Sequence, residues 1–405
     1  MRRTPFLLAV AATASVALVA CTAQTPDADP TPAGEASPPP ALRPIDEALI
    51  AAAWADDVER ATRLIDDGAD VNAQDDTQQS AFLVATSEGH LDLLHLALAE
   101  GADITATDSW NGTGLIRAAE RGHGYVVGAL LQAGIDRDHV NRIGYQALHE
   151  AIWLGDDTAE YALTVRALVA GGAQLDRASG SEGLTPFEMA RQRGHDTARR
   201  TLERALSSPE PTDPDAALRA AAEAGDADAA ALAIRAGAGL ETRDADQRTP
   251  LMLAVLADHV ALARLLVAMG ADPDALDARR DTPWVMTGVT GSVAMLEALL
   301  PGRPDLTIPN RRGGTPVHPA SERGHVDYVR RAVQLDIDLD RVNLNGWTAL
   351  LEAVVFGDGG AAQQEIVRLL LEAGADPGIR DAEGRTALDH ARDRGFHEIA
   401  ALLGG

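Results

Sequence analysis

Thr315-Pro316-Val317-His318-Pro319-Ala320-Ser321-Glu322-Arg323-Gly324-His325 is the stretch whose reading decides the fold of this 405-residue chain. Its first part returns as Thr249-Pro250-Leu251-Met252, Thr282-Pro283-Trp284, Thr185-Pro186-Phe187 and Gln146-Ala147-Leu148-His149. Its end returns as Arg121-Gly122-His123, Glu88-Gly89-His90 and Arg193-Gly194-His195. A second phrase follows, Gly68-Ala69-Asp70 and Gly101-Ala102-Asp103, 33 residues apart, and again Gly270-Ala271-Asp272 and Gly374-Ala375-Asp376. Between the phrases lie two apolar runs of about ten residues, each closed by glycine. The run Phe82 to Ala85 predicts a short helix ended by Gly89, and Leu91 to Leu98 a second ended by Gly101, since a left-handed helix stop suits a residue without Cβ. Thr before Pro suits a helix start, with Thr as cap and Pro in the first turn. Helices this short are marginal alone, so neighbours must cover their apolar faces.

A period of 33 with Thr-Pro-Leu-His and Gly-Ala-Asp phrases resembles the ankyrin repeat, over residues 45–405 and about eleven copies. The resemblance implies an all-α repeat solenoid of helix-turn-helix pairs joined by short β-hairpin loops. It also implies that the recurrent histidines are structural, hydrogen-bonding neighbouring loops, and that partners lie along the hairpin tips and the first helix of each pair.

The rest of the chain is organised around that array. Met1-Arg2-Arg3 and the apolar stretch to Ala20 read as an export signal, residues 1–20. Leu18-Val19-Ala20-Cys21 resembles a bacterial lipoprotein signal, which implies lipidation of Cys21, the chain's one cysteine. Cleavage there takes the net charge from −26 to −28, because Arg2 and Arg3 are lost. Residues 21–44 then form a Pro-rich tether unable to bury a core. The expected location is outside the cytoplasmic membrane, at the cell surface or in the periplasm, with the lipid as the sole membrane contact.

The repeats fall into two arrays, 45–206 and 215–405, around the Pro-rich linker 207–214, through which no helix runs. The halves match: Gly68 pairs with Gly237 at an offset of 169, and Gly122-His123 with Gly324-His325 at 202, one repeat more. Each half has an irregular copy with five extra residues, near 156–160 and 358–362. Each opens with a copy lacking the Thr-Pro phrase, as an end cap should. The last copy of the first half carries Arg191, Arg193, Arg199, Arg200 and Arg204, which reads as a polar cap. The arrays are expected to dock end to end about the linker, or to run on as one solenoid.

No catalytic constellation stands up. There is no Gly-x-Ser-x-Gly elbow, no paired cysteine and no lysine at all, which excludes Schiff-base and P-loop lysine chemistry. Gly237-Ala238-Gly239 imitates a dinucleotide fingerprint but occupies a helix-stop slot. No histidines or carboxylates reach ligand or acid–base spacing, so no enzyme activity, metal or cofactor is expected. The acidic balance argues against nucleic acid and against adhesion to anionic lipid.

Aromatic residues make up 3% of the chain. The partner-facing places of the irregular copies nevertheless carry aromatic and large aliphatic side chains: Ile143, Tyr145, Trp153 and Leu154 in the first array, Leu344, Trp347, Val355 and Phe356 in the second. Trp110 joins the first group from the neighbouring hairpin. Apolar patches and Trp or Tyr anchors mark interfaces, so each array is expected to offer one aromatic grip for an unidentified protein partner. The opposing expectation is that the insertions fold back over these side chains, or that the arrays pack there. The leading reading is a lipid-anchored scaffold for protein–protein interaction. A small-molecule or catalytic site in the groove, and a passive spacer, are the alternatives.

Overall fold

Each repeat contributes two antiparallel helices, and most of the connecting loops have a tip built around one Asp or Asn, the tip at 179–184 being built on Ser179 instead. In the tip from Asp75 to Gln79, the Asp75 carboxylate accepts from the backbone N–H of Thr77 and of Gln79 at 2.9 and 2.8 Å. Asp108, Asp244, Asp277, Asn310, Asn343 and Asp381 do the same two and four residues on. The residue three after each turns left-handed, and where it is Gly (Gly313, Gly346, Gly384) there is no Cβ cost. These tips are side-chain-closed turns, not the β-hairpins expected. Among the described residues the only strand-like pairing is an isolated bridge between Thr107 and Thr113.

The computed structural model describes residues 42–405, which form one packed unit of twenty-two α-helices in eleven pairs, plus a short 3-10 turn at Leu300–Gly302. The export signal, Cys21 and most of the tether lie outside the described residues. Thr185, Thr249 and Thr282 cap their helices as the Thr-Pro phrase predicts. The Thr315 copy differs. There the buried His318 ring accepts from the Thr315 N–H through Nδ1 at 3.1 Å, while Nε2 reaches the Arg341 carbonyl of the next loop at 3.1 Å. Burial drives this imidazole down to about 4, so it holds the loops as a neutral ring. His149 bridges Gln146 and Arg177 in the same way.

The Gly-His phrase works between repeats. A β-carbon on Gly89 would meet the His123 ring at 2.6 Å, and Gly225 and Gly291 stand in the same relation to His259 and His325. Each of these glycines therefore serves twice, as a left-handed stop and as the seat for the next repeat's imidazole. Leu93, Leu94, Phe82, Leu115 and Ile116 fill the space between neighbours. Each such side chain, fully buried, contributes roughly 1.5–3 kcal/mol, which is how nine-residue helices such as Leu91–Ala99 hold their shape.

The chain breaks after the helix Asp196–Ser207 and restarts at Pro214–Ala224, capped by Asp213. The two arrays then pack back to back through their second helices. Ala159–Ala170 lies against Ala227–Arg235 and Val260–Ala268, and Gly124–Gln132 lies against Val260–Ala268. As the first array is followed backward, its partners run forward in the second, so the arrays are antiparallel. This replaces both the end-to-end docking and the continuous solenoid expected from sequence. Gly128 shows how close the approach is: a β-carbon there would overlap the Ala268 carbonyl oxygen. Gln132 donates to that same oxygen at 3.0 Å, and the Tyr125 hydroxyl to the Ala298 carbonyl at 3.2 Å. Arg166 pairs with Asp228 at 2.7 Å with both side chains largely buried. Arg204, expected on a free cap, instead grips Asp226 of the second array at 2.8 Å.

Candidate protein-binding site

Back-to-back docking uses the second helices, so the first helices and loop tips of both arrays stay available. In the first array Asp108 holds the tip that carries Trp110, which is 59% exposed. The Arg142 N–H donates to the Trp110 carbonyl at 3.0 Å and ties this tip to the next, which carries the exposed Ile143. The helix Ala147–Trp153 supplies Glu150 and Trp153, and Leu154 caps it. Trp110, Ile143, Trp153 and Leu154 wall a cavity of about 240 Å3, whose polar lining comes chiefly from Arg117, Glu120 and Glu150.

The charges here are arranged in a pattern. Four tip residues, Asp108, Asn141, Asn343 and Asp381, bond the helix residue nine positions on. Arg117 bridges Asp108 and Glu120, the latter at 2.6 Å. Asn141 donates to Glu150 at 2.6 Å, Asn343 to Glu352 at 2.7 Å, and His390 meets Asp381 at 2.6 Å. The tip is Asn where its partner is Glu and Asp where the partner is basic, which avoids burying two carboxylates against each other. Glu150 is only 4% exposed. Burial first, and the nearby Glu120 carboxylate second, push its carboxyl up to about 7, while the Asn141 bond pulls the other way.

The second array repeats this layout 202 residues on. Glu352, 5% exposed, is pushed up to about 7 by burial and by Glu322, and its Oε2 has no partner. It lines a cavity of about 150 Å3 with His318, Glu322, Arg323 and Asn343. Beside it Leu344, 80% exposed, Trp347 and Phe356 line an open cleft of about 570 Å3 with Arg311 and Arg312. The Trp347 and Phe356 rings meet edge to face at 5.1 Å.

Two expected grip residues fall elsewhere. Tyr145 is 1% exposed. Its ring stacks on His149 at 5.8 Å and meets the edge of Trp153 at 6.3 Å, and its hydroxyl bonds Glu182. Burial, and then Glu182, raise its phenol well above the usual range. It is the support beneath Trp153, not a contact. Val355 is half-buried and does not line the cleft, and its carbonyl is taken by Arg394. The insertions do not cover the groove. They lengthen the second helices to 12 residues in Ala159–Ala170 and Ala361–Glu372, against 9 in Leu91–Ala99.

Glu120, Glu150 and Asn141, with their second-array counterparts, were not picked out by the sequence reading. The signal was present as Asn followed nine residues later by Glu in both irregular copies, but only the fold shows that the two meet. Among the described residues no group of three or more His, Cys, Asp or Glu is placed to hold a metal ion.

The family model for ankyrin repeats (three copies) matches residues 81–165, 187–277 and 286–381, more than half of the sequence, and the chain belongs to the ankyrin repeat family. It is similar to the ankyrin repeat protein YahD of Escherichia coli (strain K12), 39% identical over 184 residues that make up 45% of this chain and 92% of that one. It is also similar to the mouse (Mus musculus) ankyrin repeat and SAM domain-containing protein 6, 36% identical over 85 residues, 21% of this chain and 9% of that protein. Among solved structures, an ankyrin repeat domain from Acinetobacter baumannii AYE is 40% identical, covering 46% of this chain and 95% of that domain with a TM-score of 0.45.

Proposed function

We propose that this protein is a lipid-anchored scaffold, held outside the cytoplasmic membrane through Cys21, that binds another protein with the first helices and loop tips of its two arrays. The observation that carries the reading is the exposed apolar set Trp110, Ile143, Trp153 and Leu154 gathered on one cavity, with Leu344, Trp347 and Phe356 in the equivalent repeat of the second array. A protein that leaves large apolar side chains open at two equivalent places presents two anchor points, and engagement of both by one partner multiplies affinity by effective concentration. The Pro-rich tether then sets the arrays off the membrane.

Two measurements test this. Metabolic labelling with an alkynyl fatty acid should mark the chain and leave Cys21→Ser unmarked and released from the membrane fraction; equal labelling of both ends the anchor reading. Capture from an envelope extract should yield a partner with the native chain. That partner should be lost with Trp110, Leu154, Leu344 and Phe356 changed together to Ala, provided the melt is unchanged. Equal capture by both chains would place the interface elsewhere.

A further inference from the structure

The two apolar grips differ in what lies behind them. In the first array the cavity has aromatic and aliphatic walls, and its one cation, Arg117, is already held between Asp108 and Glu120. Glu150 is buried beside that pair, and one of its oxygens is satisfied by Asn141. Its other oxygen opens into the cavity that the side chain lines, unlike the enclosed Oε2 of Glu352. A carboxyl that turns one oxygen into a space bounded by two indoles offers a cation both an acceptor and aromatic faces. The chain itself shows that Trp153 accepts a cation on its face: the exposed Arg193 guanidinium sits 5.2 Å from the ring centroid, outside the cavity lining.

We infer that this cavity takes the basic end of a lysine or arginine side chain projected by the partner protein, its alkyl stem lying against Trp110, Ile143 and Leu154 and its charge facing Glu150 and Glu120. The inference rests on the scaffold reading for its occupant's source. An alkyl stem ending in a cation matches apolar walls with a carboxyl between them. A neutral side chain of the same length would displace water from the Glu150 oxygen without replacing its hydrogen bond. The net charge of −26 favours the approach of a basic surface. The equivalent place in the second array does not share this assignment. Arg312 stands where Trp110 stands in the first array and has no salt-bridge partner among the described residues, so a cation is repelled there.

The test uses the full chain labelled with 5-fluorotryptophan, whose five indole signals are assigned by single substitutions. The probes are N-acetyl-arginine amide, N-acetyl-lysine amide and the neutral N-acetyl-norleucine amide. The basic probes should shift the Trp110 and Trp153 signals to saturation and leave Trp347 still, and norleucine should move none. Glu150→Gln, which keeps the Asn141 bond, should weaken binding of the basic probes at least fivefold, and Trp110→Arg should abolish it. Equal shifts from norleucine, or unchanged binding by Glu150→Gln, overturn the inference. So does tighter binding of putrescine than of either amide, since that assigns the cavity to a free amine. The two readings fail separately. A captured partner lost with Trp110→Ala but retained by Glu150→Gln keeps the scaffold and removes the cation slot. Saturable binding of the basic probes with no captured partner does the reverse.

Discussion

The irregular repeats of the two arrays share a frame and differ at the rim. Both carry an Asn at the loop tip bonded to a buried Glu on the helix, with a second Glu from the preceding repeat nearby. Both lengthen the second helix by the same three residues. Around this constant core, Trp110 and Trp153 in the first array stand where Arg312 and Val355 stand in the second. The tip and helix hold the backbone in place, so the frame tolerates little change, whereas the rim is solvent-facing and free to differ. Two copies of one device can thus present unlike chemistry to a partner.

The largest expected effect comes from breaking the frame. Asn343→Asp would set two carboxylates at hydrogen-bond distance in a buried site, with one Glu352 oxygen already unpartnered. It should cost about 3 kcal/mol at neutral pH, read as a lower urea midpoint. Asn141→Asp should cost less, because the free Glu150 oxygen opens to its cavity. Equal losses would mean that the two frames are buried alike. Next comes the docking that turns both rims outward. Gly128→Ala should cost about 2 kcal/mol by forcing the arrays apart at Ala268. Small-angle scattering should then show a longer particle, and an unchanged profile would deny the back-to-back contact its role.

A smaller effect separates the buried carboxyls by pH. Glu150 and Glu352 are raised from 4.5 to about 7, so the folded chain binds more protons than the unfolded one between those values. Their contribution is fully present below about pH 4.5 and is lost as pH rises through 7. Glu352→Gln should therefore stabilise by about 2 kcal/mol at pH 8 and by almost nothing at pH 4, with Glu150→Gln giving less. A thermal melt series across pH checks the sign. The smallest effect falls on Tyr145. Tyr145→Phe loses the bond to Glu182 and should cost about 1 kcal/mol while leaving partner capture untouched, as suits a support beneath Trp153. Reduced capture would return Tyr145 to the contact surface.

The sequence by itself determined the period, the helix pairs, the glycine stops, the break at the prolines and the places where aromatic side chains gather. The period, the helix pairs and the glycine stops rest on contacts within a repeat or between adjacent ones, so they recur about every 33 residues, while the proline break and the aromatic places are legible from local composition. It did not determine that Gly128 meets Ala268 or that Tyr125 meets Ala298, because such contacts join residues 140 and 173 apart and occur once. Arg204 looked like a solvated cap until the second array supplied Asp226. Tyr145 and Trp153 looked alike as aromatic residues near one groove, and only packing buried the first against His149 and left the second lining a cavity. Periodic pattern reports what each repeat asks of its neighbours. The choice of which faces meet when the chain doubles back belongs to the folded chain alone, because burial and charge are completed there by residues far apart in sequence.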